Sequence, residues 1–244
     1  MARASRTTAW SPQFSSLAGA RQYVRLHRLV QRRVPAGATV LDWGTGNGHF
    51  SYFLQQAGYR PTGFAIEGHS QAAWLDEPYE AFVAGDPSEP VRLPFPDESF
   101  DAVASIGVLE HVRETGGSEA GSLAEIARVL RPGGAFVCFH FPNRWSWIEY
   151  LASLVPGKHH HVYRYGRDDV RQLVAGAGLD LVELRRYGLL PRNTLGRLPA
   201  RLADSRWVAD AFDAVDASLG TPLSPICQNW AFVAVRPPTE ARSC

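Results

Sequence analysis

The stretch from Thr39 to Phe50, TVLDWGTGNGHF, constrains the fold more than any other. Its apolar start has the character of a buried strand, and Gly44, Gly46 and Gly48 break it with a turn that leads into a helix. Glycines at alternate positions let backbone approach a ligand where any Cβ would intrude. The carboxylate of Asp42, just before them, suits hydroxyl and ammonium groups better than phosphate. A dinucleotide fingerprint needs G-x-G-x-x-G with pyrophosphate at a helix N-terminus. Here the third glycine comes one residue early and His49 fills the slot that pattern reserves for glycine.

Strand and helix signals alternate on both sides of this turn. Between Leu17 and Val34, Tyr23, Leu26, Val30 and Val34 recur at helical spacing, with Arg21, Arg25, Arg28 and Arg32 on another face, expected to be solvated. Strands are expected at Val40–Trp43, Pro61–Ile66, Ala81–Ala84, Phe100–Ile106, Ala135–Phe141, Leu179–Arg185 and Gln228–Arg236. Helices are expected at Phe50–Ala57, at Leu123–Leu130 before the stop signal Arg131-Pro-Gly-Gly134, and at Asp168–Ala177 before Gly178. This pattern implies an α/β domain, a Rossmann-like seven-stranded, mainly parallel sheet with helices on both faces. The whole chain, 1–244, reads as one domain, with residues 1–16 a mobile arm. Residues 143–165 and 187–227 exceed ordinary loop lengths and are expected to form a helical cap over the sheet's C-terminal edge, where ligands bind in open α/β sheets.

Composition narrows the classes of partner. A formal net charge of +1 lacks the basic footprint of a duplex reader, so no nucleic-acid partner is expected. The three cysteines, Cys138, Cys227 and Cys244, show no zinc or disulfide spacing. Neither a signal peptide nor an apolar run of membrane-spanning length is evident, which gives a cytoplasmic expectation.

Four further features join the glycine turn: Glu67 closing strand two, Asp86-Pro87 after strand three, the run Leu93 to Val112 with Glu110-His111 near its end, and Glu125 to Gly134. Together they resemble the class I S-adenosylmethionine-dependent methyltransferases, in the small-molecule, ubiquinone-biosynthesis-like branch (methyltransferase type 11). The resemblance runs from about Val40 to Arg185. It implies S-adenosyl-L-methionine as cofactor, held by Asp42, Trp43, Gly44, Thr45, Gly46, Gly48, Glu67, Gly68, Asp86, Pro87, Ile106 and His111. In that family Glu67 would take the ribose hydroxyls and Asp86 the adenine amino group, while Glu110-His111 would lie near the transferred methyl. Pro87 departs from the pattern, because it has no N–H to offer the adenine ring.

The resemblance further implies methyl transfer to a small-molecule acceptor, with a hydroxyl oxygen first and nitrogen or carbon next. A non-catalytic cofactor-binding module whose cap is an interaction surface is the alternative. A hydroxyl acceptor benefits from a base, and histidine suits neutral pH. His111, His140 and His161 are the candidates. No metal is expected, since the consecutive His159, His160 and His161 cannot all face one ion. Trp145, Trp147, Ile148, Tyr150 and Leu151 are either cap packing or a wall for an apolar, even lipid-linked, acceptor. The arginines Arg185, Arg186, Arg192, Arg197 and Arg201 are expected on solvated faces, with an anionic substrate group or peripheral membrane contact as the alternative. Sequence does not give the oligomeric state.

Overall fold

A computed structural model describes residues 14–66 and 81–238. Of the expected arm, residues 1–13 lie outside these, whereas Phe14 is fully buried. The Ser16 hydroxyl accepts from Gly19 N–H and so caps α1 (Leu17–Arg33). Helix α1 buries Leu26, Leu29 and Val30, carries Arg32 and Arg33 in its last turn, and ends just before Pro35.

The strands are β1 (Thr39–Trp43), β2 (Arg60–Ala65), β3 (Ala81–Ala84), β4 (Phe100–Ile106), β5 (Leu130–Pro142), β6 (Asp180–Tyr187) and β7 (Asn229–Val235). They form one sheet in the order β3-β2-β1-β4-β5-β7-β6, in which only β7 runs antiparallel to its neighbours. Helices α2 (His49–Gln56), α3 (Glu119–Val129) and α5 (Arg167–Gly176) fill the connections as expected. Successive residues of β1 feed opposite layers. Val40 joins Leu26, Leu29 and Phe50 on one face of the sheet; Leu41 joins Ile126, Val170 and Trp230 on the other. Both faces are therefore covered, as a mainly parallel sheet requires.

The two long segments do form a cap. The first contains α4 (Trp147–Ser153), and the second contains a 3-10 turn (Arg192–Arg197), α6 (Ala200–Ala203) and α7 (Arg206–Gly220). The Asn143 amide ties the two together by donating to the carbonyls of Pro225 and Cys227, at 2.8 Å each. Helix α7 carries mixed faces. Its Trp207 is 76% exposed, and its inward side includes Asp213 and the buried Asp216.

Those acids meet arginines. Arg21 and Arg25 of α1, expected on a solvated face, pair with Asp210 at 2.5 Å and Asp213 at 2.9 Å. Arg192 is buried. It donates to the Ala18 carbonyl at 2.7 Å, pairs with Asp213 at 2.8 Å, and stacks over Phe212. Helix α1 is thereby pinned to the cap. Among the described residues no helix is long and apolar enough to cross a membrane.

Candidate active site

The C-terminal ends of β1, β4 and β5 position the chemistry. After β1 the chain turns through Gly44 (φ 79°), Gly46 (φ 53°) and Gly48 (φ 77°) into α2. Two of these glycines serve different ends. A Cβ on Gly44 would lie 2.2 Å from the Val108 side chain, so this position is tied to the β4 loop. A Cβ on Gly46 would meet nothing nearer than 3.9 Å. That left-handed residue leaves an open cradle over the sheet edge.

Asp42 is 2% exposed and acts as the loop's brace: Thr45 and Ser51 hydroxyls donate to its Oδ2 at 2.9 and 2.7 Å. Burial pushes the carboxyl up to about 6, although these hydroxyls and the Ser51 backbone pull the other way. Trp43 and Thr45 are also buried. Over the loop, Phe14, Tyr23 and His49 stack edge-on, with ring centroids about 5 Å apart. Burial of His49 lowers it to about 4, so the ring is neutral.

Asp86 is exposed, and its Oδ1 accepts from the Ser88 backbone and hydroxyl, which lowers its carboxyl. Pro87 is likewise exposed, while Ile106 is half-buried at the end of β4. Glu67 and Gly68 lie outside the described residues.

Beyond β4 a 3-10 segment (Leu109–Thr115) buries Leu109 and Val112 and with them Glu110, whose side chain is 3% exposed. Burial raises the Glu110 carboxyl to about 8, and its Oε2 has no hydrogen-bond partner. His111 is only partly buried and holds Nδ1 3.0 Å from Glu114 Oε1. His161 arrives from the cap loop, with Nδ1 3.2 Å from Glu149 Oε2. Burial alone would lower His161, but the Glu149 carboxylate outweighs it and the net shift is upward. Ligand atoms of Glu110, His111 and His161 all lie within 4.8 Å of one another. Sequence reasoning set metal aside because three consecutive histidines cannot share an ion. In the fold only one of them, His161, joins Glu110 and His111.

His140 stands apart from that cluster. It sits where the β5–β7 register shifts and carries φ +69°, a left-handed backbone that re-aims its side chain. Its backbone N–H donates to the Tyr187 hydroxyl at 2.8 Å, and that hydroxyl lies 3.0 Å from Nδ1. Burial lowers His140 to about 4, so its ring is neutral at neutral pH.

A cavity of about 430 Å³ joins these groups, walled by Gln22, Tyr23, Glu110, His140, Glu149 and His161 among others. Larger grooves of about 830 and 520 Å³ lie elsewhere, along Glu89–Phe95 and along β6, and hold none of these histidines. Tyr23 faces both the cavity and His49, so the cavity adjoins the glycine loop. Of the cap aromatics, Trp147 packs by donating to the Leu189 carbonyl and Ile148 faces the cavity; Trp145, Tyr150 and Leu151 point outward at 64, 59 and 48% exposure. Gln22, Tyr23, Glu114, Glu149 and Tyr187 escaped the sequence reading. Glu114 lies one turn beyond His111 in the same 3-10 segment, and the others owe their places to tertiary contacts that no local motif announces.

Residues 41–138, from β1 into β5, match the family described as methyltransferase domain. The chain carries a methyltransferase domain and has S-adenosylmethionine-dependent methyltransferases among its relatives. Among curated relatives of this methyltransferase, a Mycolicibacterium smegmatis protein described as "probable S-adenosylmethionine-dependent methyltransferase" is 29% identical, covering 80% of this chain and 76% of that one. A demethylmenaquinone methyltransferase of Renibacterium salmoninarum is 35% identical over 54% of this chain and 56% of its own length. The chain thus spans little more than half of that second relative. The fold is shared with the 1,6-didemethyltoxoflavin-N1-methyltransferase of Burkholderia thailandensis, at TM-score 0.56 and 19% identity, covering 97% of this chain and 84% of that one. The residues present fit the family's cofactor. The open cradle at Gly46, the buried Asp42 carboxylate beside it and the exposed Asp86 carboxylate offer the surface and acceptors that an amino-acid nucleoside needs.

Proposed function

We propose that this methyltransferase transfers a methyl group to a hydroxyl oxygen of a small-molecule acceptor held in the 430 Å³ cavity. The observation that carries the reading is that cavity's position. Glu110 and His161 wall it from the β4 side and the cap, and Tyr23 links it to the glycine loop. S-adenosylmethionine supplies a sulfonium-bound, already electrophilic methyl. The protein's task is therefore to orient the acceptor, which can contribute roughly 7–11 kcal/mol.

In this reading Gly44, Gly46 and Gly48 admit the cofactor's amino-acid end, and the charge on Asp42 opposes its ammonium. Glu67 and Gly68 take the ribose, Asp86 and Pro87 flank the adenine, and backbone near Ile106 meets the methionine moiety. Trp43 and Thr45 hold the loop's shape. His140, neutral and fixed by Tyr187, orients the acceptor. Removal of the acceptor proton falls to the Glu110, His111 and His161 cluster, with the remaining cavity wall excluding water. Ile148 gives that wall an apolar element, which favours acceptors with an apolar or planar body.

The test is incubation with S-adenosylmethionine labelled in the methyl group and a panel of phenols, sugar alcohols and hydroxylated lipids, with products read by mass spectrometry and NMR. A labelled methyl ether is the expected product. Tight binding of S-adenosylhomocysteine by calorimetry without label transfer to any acceptor would favour the non-catalytic binding module. Label on nitrogen or carbon would move the acceptor atom.

A further inference from the structure

Among the described residues, Glu110 is a buried carboxylate with one oxygen unanswered. Its side chain is 3% exposed, yet Oε2 reaches no hydrogen-bond donor. Leaving a buried carboxylate oxygen unpaired is costly. A proton on that oxygen does not resolve it, because the resulting hydroxyl would have no acceptor. What surrounds the carboxylate is two imidazoles, His111 and His161, with ligand atoms of all three residues within 4.8 Å.

The imidazoles are held in a particular way. His111 Nδ1 shares a hydrogen bond with Glu114 at 3.0 Å, whereas His161 Nδ1 lies 3.2 Å from Glu149 Oε2, within ion-pair distance but not aligned as a hydrogen bond. In each ring the nitrogen left over is Nε2. A histidine with one nitrogen on an outer carboxylate and the other free is the arrangement that metal-binding histidines use to fix their tautomer. The outer carboxylates are not equally firm. Glu149 is itself buried, receives the Gln228 amide at 3.0 Å and the His161 backbone N–H at 2.8 Å, and lies in the first turn of the Ser146-capped helix α4. Glu114 is exposed.

We propose that Glu110, His111 and His161 bind a divalent transition-metal ion, of the zinc, iron(II), manganese(II) or cobalt(II) class. Two nitrogens and one carboxylate oxygen suit those ions, whereas calcium and magnesium call for oxygen ligands. Ligand atoms around one such ion sit about 3.3 Å apart at bond lengths near 2.1 Å. Closing from 4.8 Å requires side-chain rotation, which the partly exposed His111 can supply. Three protein ligands leave coordination positions free, and Glu110 and His161 both face the cavity, so the open positions point where the acceptor is proposed to lie. If the methyltransferase reading holds and an ion is bound, these residues would act on the acceptor proton through the ion and not as bases themselves: the acceptor hydroxyl would coordinate there, lose its proton to solvent and attack the methyl as an alkoxide, the sulfonium becoming a neutral thioether. The ion site itself stands on Glu110, His111 and His161 alone.

Tag-free protein, dialysed against chelator, is titrated with Zn²⁺ in competition with a chromophoric chelator and with Co²⁺ by visible absorption. One equivalent bound at micromolar affinity or tighter is expected. H111A and H161A should weaken binding by 100-fold or more, and E149Q by about 10–100-fold. H160A alters the neighbouring, partly exposed histidine and should bind as the wild type does, which separates a built site from a generic histidine run. H111A changes a partly exposed side chain, so its thermal melt should match the wild type and a lost affinity cannot be laid to misfolding. Absence of stoichiometric uptake, or wild-type affinity in both H111A and H161A, overturns the proposal. Uptake through these residues without methyl transfer upholds the site and rejects only its role toward the acceptor.

Discussion

Replacing Asp42 by asparagine isolates one buried charge. The carboxylate is 2% exposed, and burial lifts it from 3.8 to about 6 against the pull of Ser51 and Thr45. That change corresponds to about 3 kcal/mol. The folded carboxyl holds its proton more tightly than the unfolded one does. Stability is therefore lost as pH rises from about 4 to 6, and the whole cost is present at neutral pH. Asparagine keeps an acceptor oxygen for the two hydroxyls and carries no charge. In cofactor-free protein, the unfolding free energy of D42N minus that of the wild type should rise by about 2.5 kcal/mol between pH 4 and pH 8. Urea melts followed by tryptophan fluorescence at each pH give that difference directly, with other titrating groups cancelling. Affinity for S-adenosylhomocysteine should fall in the same variant, so stability and binding move in opposite directions. A flat difference curve, or one with the opposite slope, refutes the reasoning.

Other consequences follow from single residues. Gly44→Ala adds a methyl 2.2 Å from Val108 at φ 79°, and should cost about 3 kcal/mol; V108A should recover the steric part only, leaving G44A/V108A between G44A and wild type in thermal melts. Complete recovery would show that backbone conformation contributes nothing. Arg192→Met leaves Asp216 buried without its partner and should destabilise by about 3–5 kcal/mol, with α1 exchanging its amide hydrogens faster; a loss below 1 kcal/mol would mean that Arg192 does not pin the cap. His49 is held down to about 4 by burial, so the unfolded chain takes up its proton first as pH falls from 6.5 to 4. About 3 kcal/mol of stability should disappear over that window, and H49F should abolish this share of the acid sensitivity; an unchanged acid limb would count against a buried neutral ring.

The sheet was legible because each strand announces itself locally. Val40–Trp43, Ala81–Ala84 and Phe100–Ile106 are apolar runs bounded by turn residues, and the structure moves their ends by no more than a residue. The glycine loop and Glu110-His111 were legible for the same reason, since their chemistry depends on neighbours in sequence. What periodicity could not give is what a helix faces. Arg21 and Asp210 stand 189 residues apart, so a stripe of arginines on α1 looked solvated until α7 was placed against it. Glu149 and His161 belong to one insertion but to different turns of chain, and no local pattern pairs them. His140 is subtler. A strand residue with φ +69° exists because β5 must change register against β7, a strand that begins 89 residues later.

That late strand has a consequence for how the protein is made. Strands β1 to β5 pair in parallel and leave the ribosome in order, but β6 touches the sheet only through β7. While residues 229–235 are still inside the exit tunnel, β5 presents an unpaired apolar edge that includes Phe136 and Phe141, and β6 has nothing to join. At synthesis rates of roughly 5–20 residues per second, the cap segment between β6 and β7 prolongs that exposure by several seconds. The open β5 edge is the surface through which a nascent chain would aggregate or recruit a chaperone, and the half-site carrying Glu110 stays without the second cap segment until residues 187–227 have emerged.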